Sequence, residues 1–171
     1  KGDSATNARG AVTDGGGGER AVPGWAVGTV EGKGDTLSNV TVTQKSVRKA
    51  GTLAFGLFRE LRATASIRNV TFQNVTYVAE MDNPVATEYR AGVLAGNAAK
   101  GAKVENVTIS GGTFTFAVTD QYKYYDYLEV NVLVGGEPDE GTVTNSAISS
   151  DVTVEKITWT EWQNKQEGQD N

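Results

Sequence analysis

The feature that most constrains this chain is that it repeats itself, at a period of about forty residues, with a strand-like pattern inside each copy. Phe55-Gly56-Leu57-Phe58 is followed by Ala65-Ser66-Ile67-Arg68-Asn69-Val70-Thr71-Phe72. Further on, Val93-Leu94-Ala95-Gly96 is followed by Ala102-Lys103-Val104-Glu105-Asn106-Val107-Thr108-Ile109. A third copy runs Leu133-Val134-Gly135-Gly136 and then Gly141-Thr142-Val143-Thr144-Asn145-Ser146-Ala147-Ile148. A fainter first copy holds Val27-Gly28-Thr29-Val30 and then Thr36-Leu37-Ser38-Asn39-Val40-Thr41-Val42. A unit this small cannot bury its apolar face alone, so the copies must stack on one another to build a core.

Each copy divides into short extended pieces, such as Gly92 to Asn97, Lys103 to Ile109 and Gly112 to Val118, separated by Gly, Asn or Ser turns. Apolar residues alternate along a piece, with a slip at each bend, as in Ile67, Val70, Phe72, Val75 and Tyr77. The pattern predicts an all-β fold, a right-handed parallel β-helix of about four three-stranded coils. It spans residues 25–158; residues 1–24, with Gly15 to Gly18 in a row, read as a flexible lead-in, and residues 159–171 as a cap and polar tail. Trp159 and Trp162 are then placed to close the end of the solenoid.

Composition removes whole classes of chemistry. The chain has neither cysteine nor histidine, which excludes disulfides, thiolate or imidazole metal sites, and any triad built on a histidine base. A net charge of −5 without a basic stripe argues against nucleic acid. No apolar run reaches the roughly 18 residues that insertion in a bilayer requires. No cofactor is called for. The chain begins at Lys1 and reads as a piece of a larger parent.

The Gly-Leu-Phe stretch at Gly56 to Phe58 and the following A-x-I/V-x-N-V-T pattern at Ala65 to Thr71 and Ala102 to Thr108 resemble GLUG-type repeats. The resemblance covers roughly residues 25–155. Such repeats occur in bacterial adhesins and in the amino-terminal regions of some large immunoglobulin-A peptidases. What the resemblance implies is an adhesion or spacer module of a secreted or cell-surface bacterial protein; it carries no catalytic residues to transfer.

Two longer connections interrupt the repeats, about Val78 to Arg90 and Asp120 to Glu129, and insertions at equivalent repeat positions emerge on one face of a solenoid. The candidate binding residues on that face are Glu80, Asp82, Tyr89, Asp120, Tyr122, Tyr124, Tyr125, Asp126 and Tyr127. Clustered tyrosines suit recognition of a host glycan or protein, because each ring stacks and each hydroxyl hydrogen-bonds. The opposing reading makes Tyr122, Tyr124, Leu128, Val130 and Val132 one half-buried strand. Carboxylates at Glu80, Asp82, Asp120, Asp126 and Glu129 leave an enzymatic alternative, an accessory or partial catalytic part of a carbohydrate-active β-helix or surface peptidase. Asn39, Asn69, Asn106 and Asn145 are expected at one bend in successive coils, as a hydrogen-bonded ladder. The Thr-x-Thr fragments do not fall at one repeat position and read as ordinary strand surface.

Overall fold

The computed structural model describes residues 25–26, 28–46 and 48–169; the expected lead-in over residues 1–24 lies outside them. The strands are β1 (Trp25–Ala26), β2 (Thr29–Ser38), β3 (Thr41–Lys45), β4 (Gly51–Phe55), β5 (Phe58–Leu61) and β6 (Ser66–Met81). They continue with β7 (Ala86–Ala91), β8 (Ala95–Ala98), β9 (Lys103–Val118), β10 (Val143–Thr144), β11 (Ala147–Ile148) and β12 (Thr153–Thr158), and a helix, α1 (Trp159–Gln169), follows. Three parallel sheets result: β1-β5-β8, β4-β7, and a larger one in which β2 and β3 pair with β6, β6 with β9, and β9 with β10, β11 and β12. The chain is therefore a parallel β-helix.

It makes about three turns, where the four sequence copies suggested about four coils. The first and last copies are incomplete. Among the described residues both contribute rungs to the largest sheet, but neither contributes a strand to the β4-β7 sheet.

The asparagines explain how one strand turns corners. In β6 the buried positions are Ile67, Val70, Phe72, Val75, Tyr77, Ala79 and Met81, so alternation slips once at Asn69 and once at Asn74. Both have positive φ, 56° and 55°, and so do Asn106 (55°) and Gly111 (63°) at the matching corners of β9. A residue in this left-handed region bends the strand and restores the inward direction, and asparagine tolerates it better than most side chains. The inward side chains then stack coil on coil, as in Val30, Ile67, Val104 and Val143, or Val42, Tyr77, Phe114 and Val154.

Two registers differ from the sequence reading. Asn39 stacks beneath Asn74, to which it is hydrogen-bonded at 2.7 Å, and not beneath Asn69. The ladder proper runs Asn145 to Asn106 (3.1 Å) to Asn69 (2.9 Å) and ends on the Glu31 carboxylate (3.0 Å). Asn-Val-Thr recurs because both corners of a coil need the same residues, so the motif identifies a corner without saying which one. Likewise Phe58 stacks on Ala95, and Ala95 on Val134, one residue away from the Phe58 to Gly96 alignment that the motifs suggest. The register also gathers Thr41, Thr76, Thr113 and Thr153 into one exposed column, although Thr76 belongs to no Thr-x-Thr fragment and Thr142-x-Thr144 stacks elsewhere, with Thr144 on Glu105. The flanking column, Thr43, Val78, Thr115 and Glu155, is not a threonine array.

Asn106 both adopts positive φ and holds two ladder bonds. Asn106→Ala is expected to cost about 2 kcal/mol, the sum of the left-handed penalty and the two lost exposed bonds. Asn106→Gly accepts the conformation and isolates the ladder, with an expected loss of about 1 kcal/mol. Thermal unfolding of the pair checks this; equal stability of Asn106→Gly and the native chain would leave the ladder without energetic weight.

The segment expected as a polar tail is helical as far as Gln169. Its start is a capping box: the Thr158 hydroxyl accepts from the Glu161 N–H (3.2 Å), and the Glu161 carboxylate accepts from the Thr158 N–H (2.8 Å). Asp120, one coil below, adds to the cap by accepting the Thr160 N–H (3.1 Å) and the Thr160 hydroxyl. Those Thr160 contacts, the hydroxyl first, hold the Asp120 carboxyl below its usual range. A depressed folded-state value stabilises above the unfolded value, near pH 4, and the contribution disappears as pH falls through the folded one. The melting-temperature difference between the native chain and Asp120→Ala is therefore expected to hold from neutrality to about pH 4 and to close below it.

Candidate functional site

Among the described residues the stacking is interrupted most extensively after β9. After β9 the chain would have to lay a third strand beside β7, but residues Thr119 to Tyr127 instead fold into consecutive tight turns with a short 3-10 segment at Tyr125–Tyr127. The side chain of Tyr122 substitutes for the missing strand: its hydroxyl accepts the Tyr89 N–H at 3.2 Å. Beyond the turns Leu128 and Val130 are buried again while Glu129 is exposed, so inward alternation resumes without a strand ladder. The half-buried strand expected through Tyr122 and Tyr124 does not form.

The gap is a cleft of about 890 Å³. The exposed flank of β7, Glu88 to Ala91, forms one wall; Tyr122, Tyr124, Tyr127, Glu129 and the turn Gly136-Glu137-Pro138 form much of the rest. An aromatic chain leads into it from the core. Phe55 meets Tyr89 edge-on with centroids 6.1 Å apart, Tyr89 meets Tyr122 at 4.7 Å, and Tyr122 meets Tyr124 at 5.8 Å. Such edge contacts hold the rings in place and leave the outer faces available. Tyr124 is 45% exposed and Tyr127 82%.

Of the nine expected residues, the cleft brings together Tyr89, Tyr122, Tyr124 and Tyr127. Tyr89 is not in a loop but in β7, buried, with its hydroxyl donating toward the carbonyls of Asn83 (2.6 Å) and Met81 (3.2 Å). Burial pushes that phenol up to about 12, so it stays a donor at neutral pH. The remaining five lie elsewhere. Glu80 is in β6, 3.9 Å from the Lys45 ammonium, and Asp82 accepts a bond from the Ser46 hydroxyl at 3.0 Å. Asp120 caps α1. Tyr125 is a fastening: its hydroxyl donates to the Lys156 carbonyl (3.1 Å), while the Lys156 ammonium lies over its ring (4.6 Å) and donates to the carbonyls of Tyr125 (2.6 Å) and Leu128 (3.0 Å). Asp126 is exposed and does not line the cleft.

The sequence reading erred because it took Val78 to Arg90 as a connection. Val78 to Met81 complete β6 and Ala86–Ala91 is β7, which leaves only Asp82 to Val85 between them. The charged cleft residues that appear in neither the expected binding set nor the carboxylate group are Glu88, Arg90 and Glu137. A two-residue shift of the motif alignment, pairing Phe55 with Ala91 instead of Val93, would have aligned Glu88-Tyr89-Arg90 with Thr52-Leu53-Ala54 and exposed the strand.

The charges are unevenly satisfied. Glu88 accepts from the Arg90 Nε at 2.9 Å and from the Thr52 hydroxyl at 3.3 Å, and the Arg90 Nη1 donates to the Asn97 Oδ1 at 2.9 Å. Among the described residues Glu129 and Glu137 have no hydrogen bond or ion pair. Of the five carboxylates considered for glycosidic chemistry, only Glu129 lines the cleft. No group of three or more acidic side chains suited to a metal ion occurs among the described residues. The geometry offers stacking faces, phenolic hydroxyls and unpaired carboxylates. Comparison with family models, with curated proteins and with solved structures finds no match to this chain.

Proposed function

We propose that the chain is a non-catalytic adhesion or spacer module of a secreted bacterial surface protein, and that the tyrosine-lined cleft is its contact with a host glycan or protein. One observation carries this reading: the solenoid abandons its third rung beside β7 and surrounds the gap with tyrosines. A spacer alone has no need of that departure, whereas exposed rings on a rigid scaffold are what recognition uses. The likeness to GLUG-type repeats supports the surface-protein setting.

The test is binding to a glycan array and to immobilised host extracellular proteins by the native chain and by Tyr124→Ser/Tyr127→Ser. These two rings are the exposed ones, whereas Tyr122 and Tyr125 hold the loop and are left intact. The variant should keep its melting temperature and bind about tenfold more weakly or worse. Native-like binding by the folded variant would remove the cleft from the adhesive surface.

A further inference from the structure

The cleft's unbalanced charge and its rings together define a ligand class. We infer that it takes a lysine- or arginine-bearing peptide segment of a partner protein, in preference to a neutral sugar. The inference rests on the reading of the cleft as the contact surface.

Arg90, the cationic side chain on the β7 wall, is already engaged by Glu88 and Asn97. Among the described residues Glu129 and Glu137 are left without partners. A phenolic face attracts cations through its quadrupole, and the molecule supplies its own example: the Lys123 ammonium sits 4.7 Å from the centroid of the Tyr124 ring. The loop thus parks an internal ammonium on a ring that lines the cleft, a place an incoming cation can take.

Glu137 adds a further indication. Its φ is 53°, a left-handed conformation that a glutamate adopts at a cost, and it immediately precedes Pro138. Neither glycine nor asparagine occupies a position where either would be easier. A glutamate that lines a cleft in spite of backbone strain is better explained by what it meets there than by the turn it makes. Glu129 and Glu137 approach from separate stretches of the chain, on either side of Val132 to Gly136. Two carboxylates from separate stretches lining one cleft suit a ligand with more than one basic group, as a peptide offers.

The experiment is a random-peptide array probed with the full chain, followed by affinity measurements on the peptides retained. Lysine and arginine should be enriched among them, and acetylating their lysines should weaken binding. Glu129→Gln/Glu137→Gln should weaken it about three- to tenfold, an effect reduced by added salt. Lys123→Ser, whose short side chain vacates the Tyr124 face, should strengthen binding about two- to fivefold. Glu137→Asn should weaken binding while the melting temperature stays level or rises, because asparagine accepts the left-handed turn. Retained peptides that are neutral or acidic, or an affinity indifferent to both glutamines, would overturn the inference. If a neutral glycan is bound and lost in Tyr124→Ser/Tyr127→Ser while the peptide array stays blank, the contact reading stands and the cationic ligand falls. Blank arrays of both kinds remove both.

Discussion

Gln44→Leu is expected to destabilise the chain by about 3 kcal/mol or more, a loss far above what a change of one polar side chain on a strand surface produces. Gln44 is buried at 5% exposure and is the hub of a small polar network inside the solenoid. Its amide nitrogen donates to the Gly56 carbonyl (2.5 Å), and its oxygen accepts from the Gly56 N–H (3.3 Å) and the Tyr77 hydroxyl (2.5 Å). The corner at Gly56 joins β4 to β5, so its backbone groups have no strand to satisfy them on that side. Leucine fills the volume but leaves those groups and the phenol without partners in a dry interior, and each orphan costs about 1–3 kcal/mol. Burial keeps the Tyr77 phenol far above its ordinary range, so it cannot relieve the loss by ionising. Tyr77→Phe removes one member of the network and is expected to cost about 1 kcal/mol. Gln44→Leu/Tyr77→Phe should cost less than the sum of the two, since the phenol orphaned by the first change is then absent. Chemical denaturation of the three variants decides it; strict additivity would mean that the Gln44 to Tyr77 bond is not coupled.

A comparable loss, about 3 kcal/mol, is expected from adding a single methyl at Gly92. A Cβ there would lie 2.3 Å from the Ala95 carbonyl oxygen and 2.6 Å from the Gly135 nitrogen. Those neighbours are backbone, which cannot rotate away as a side chain can. The coil that carries Gly92 would have to move away from the one that carries Gly135 at their shared glycine corner, and in a solenoid each coil is stabilised mainly by its nearest neighbours. Gly28→Ala serves as the control, because a Cβ at Gly28 meets nothing within 4 Å. Gly135 and Ala91 both line the cleft, so Gly92→Ala should also reduce ligand binding at temperatures where the chain remains folded. A Gly92→Ala chain as stable as Gly28→Ala would show that the corner has room to relax.

How far the sequence could be read follows from what each residue needs locally. An inward position needs an apolar side chain, a corner needs a residue that tolerates positive φ, and both requirements appear as letters at fixed intervals. Ile67, Asn69, Val70 and Phe72 against Val104, Asn106, Val107 and Ile109 therefore disclose the parallel stacking directly. The first copy misled because Asn39 and Asn69 satisfy the same local requirement at different corners, and only hydrogen bonding to Asn74 assigns Asn39 to its own. The helix was legible in principle, from Thr158 and Glu161 at capping-box spacing, but its apolar face is too sparse to have announced it.

The sequence by itself determined the repeat, the all-β architecture, the stacked core and the concentration of tyrosines between Tyr122 and Tyr127, because each depends on residue type at a local position. Only the tertiary structure decided which tyrosines face outward and which fasten the loop. Tyr124 and Tyr125 are adjacent and identical, yet one is at the cleft and the other is clasped by Lys156, thirty-one residues away. Nor does composition reveal that Glu88 is neutralised while Glu129 and Glu137, among the described residues, are not. That difference depends on which coil each carboxylate reaches, and on the strand that fails to form beside β7.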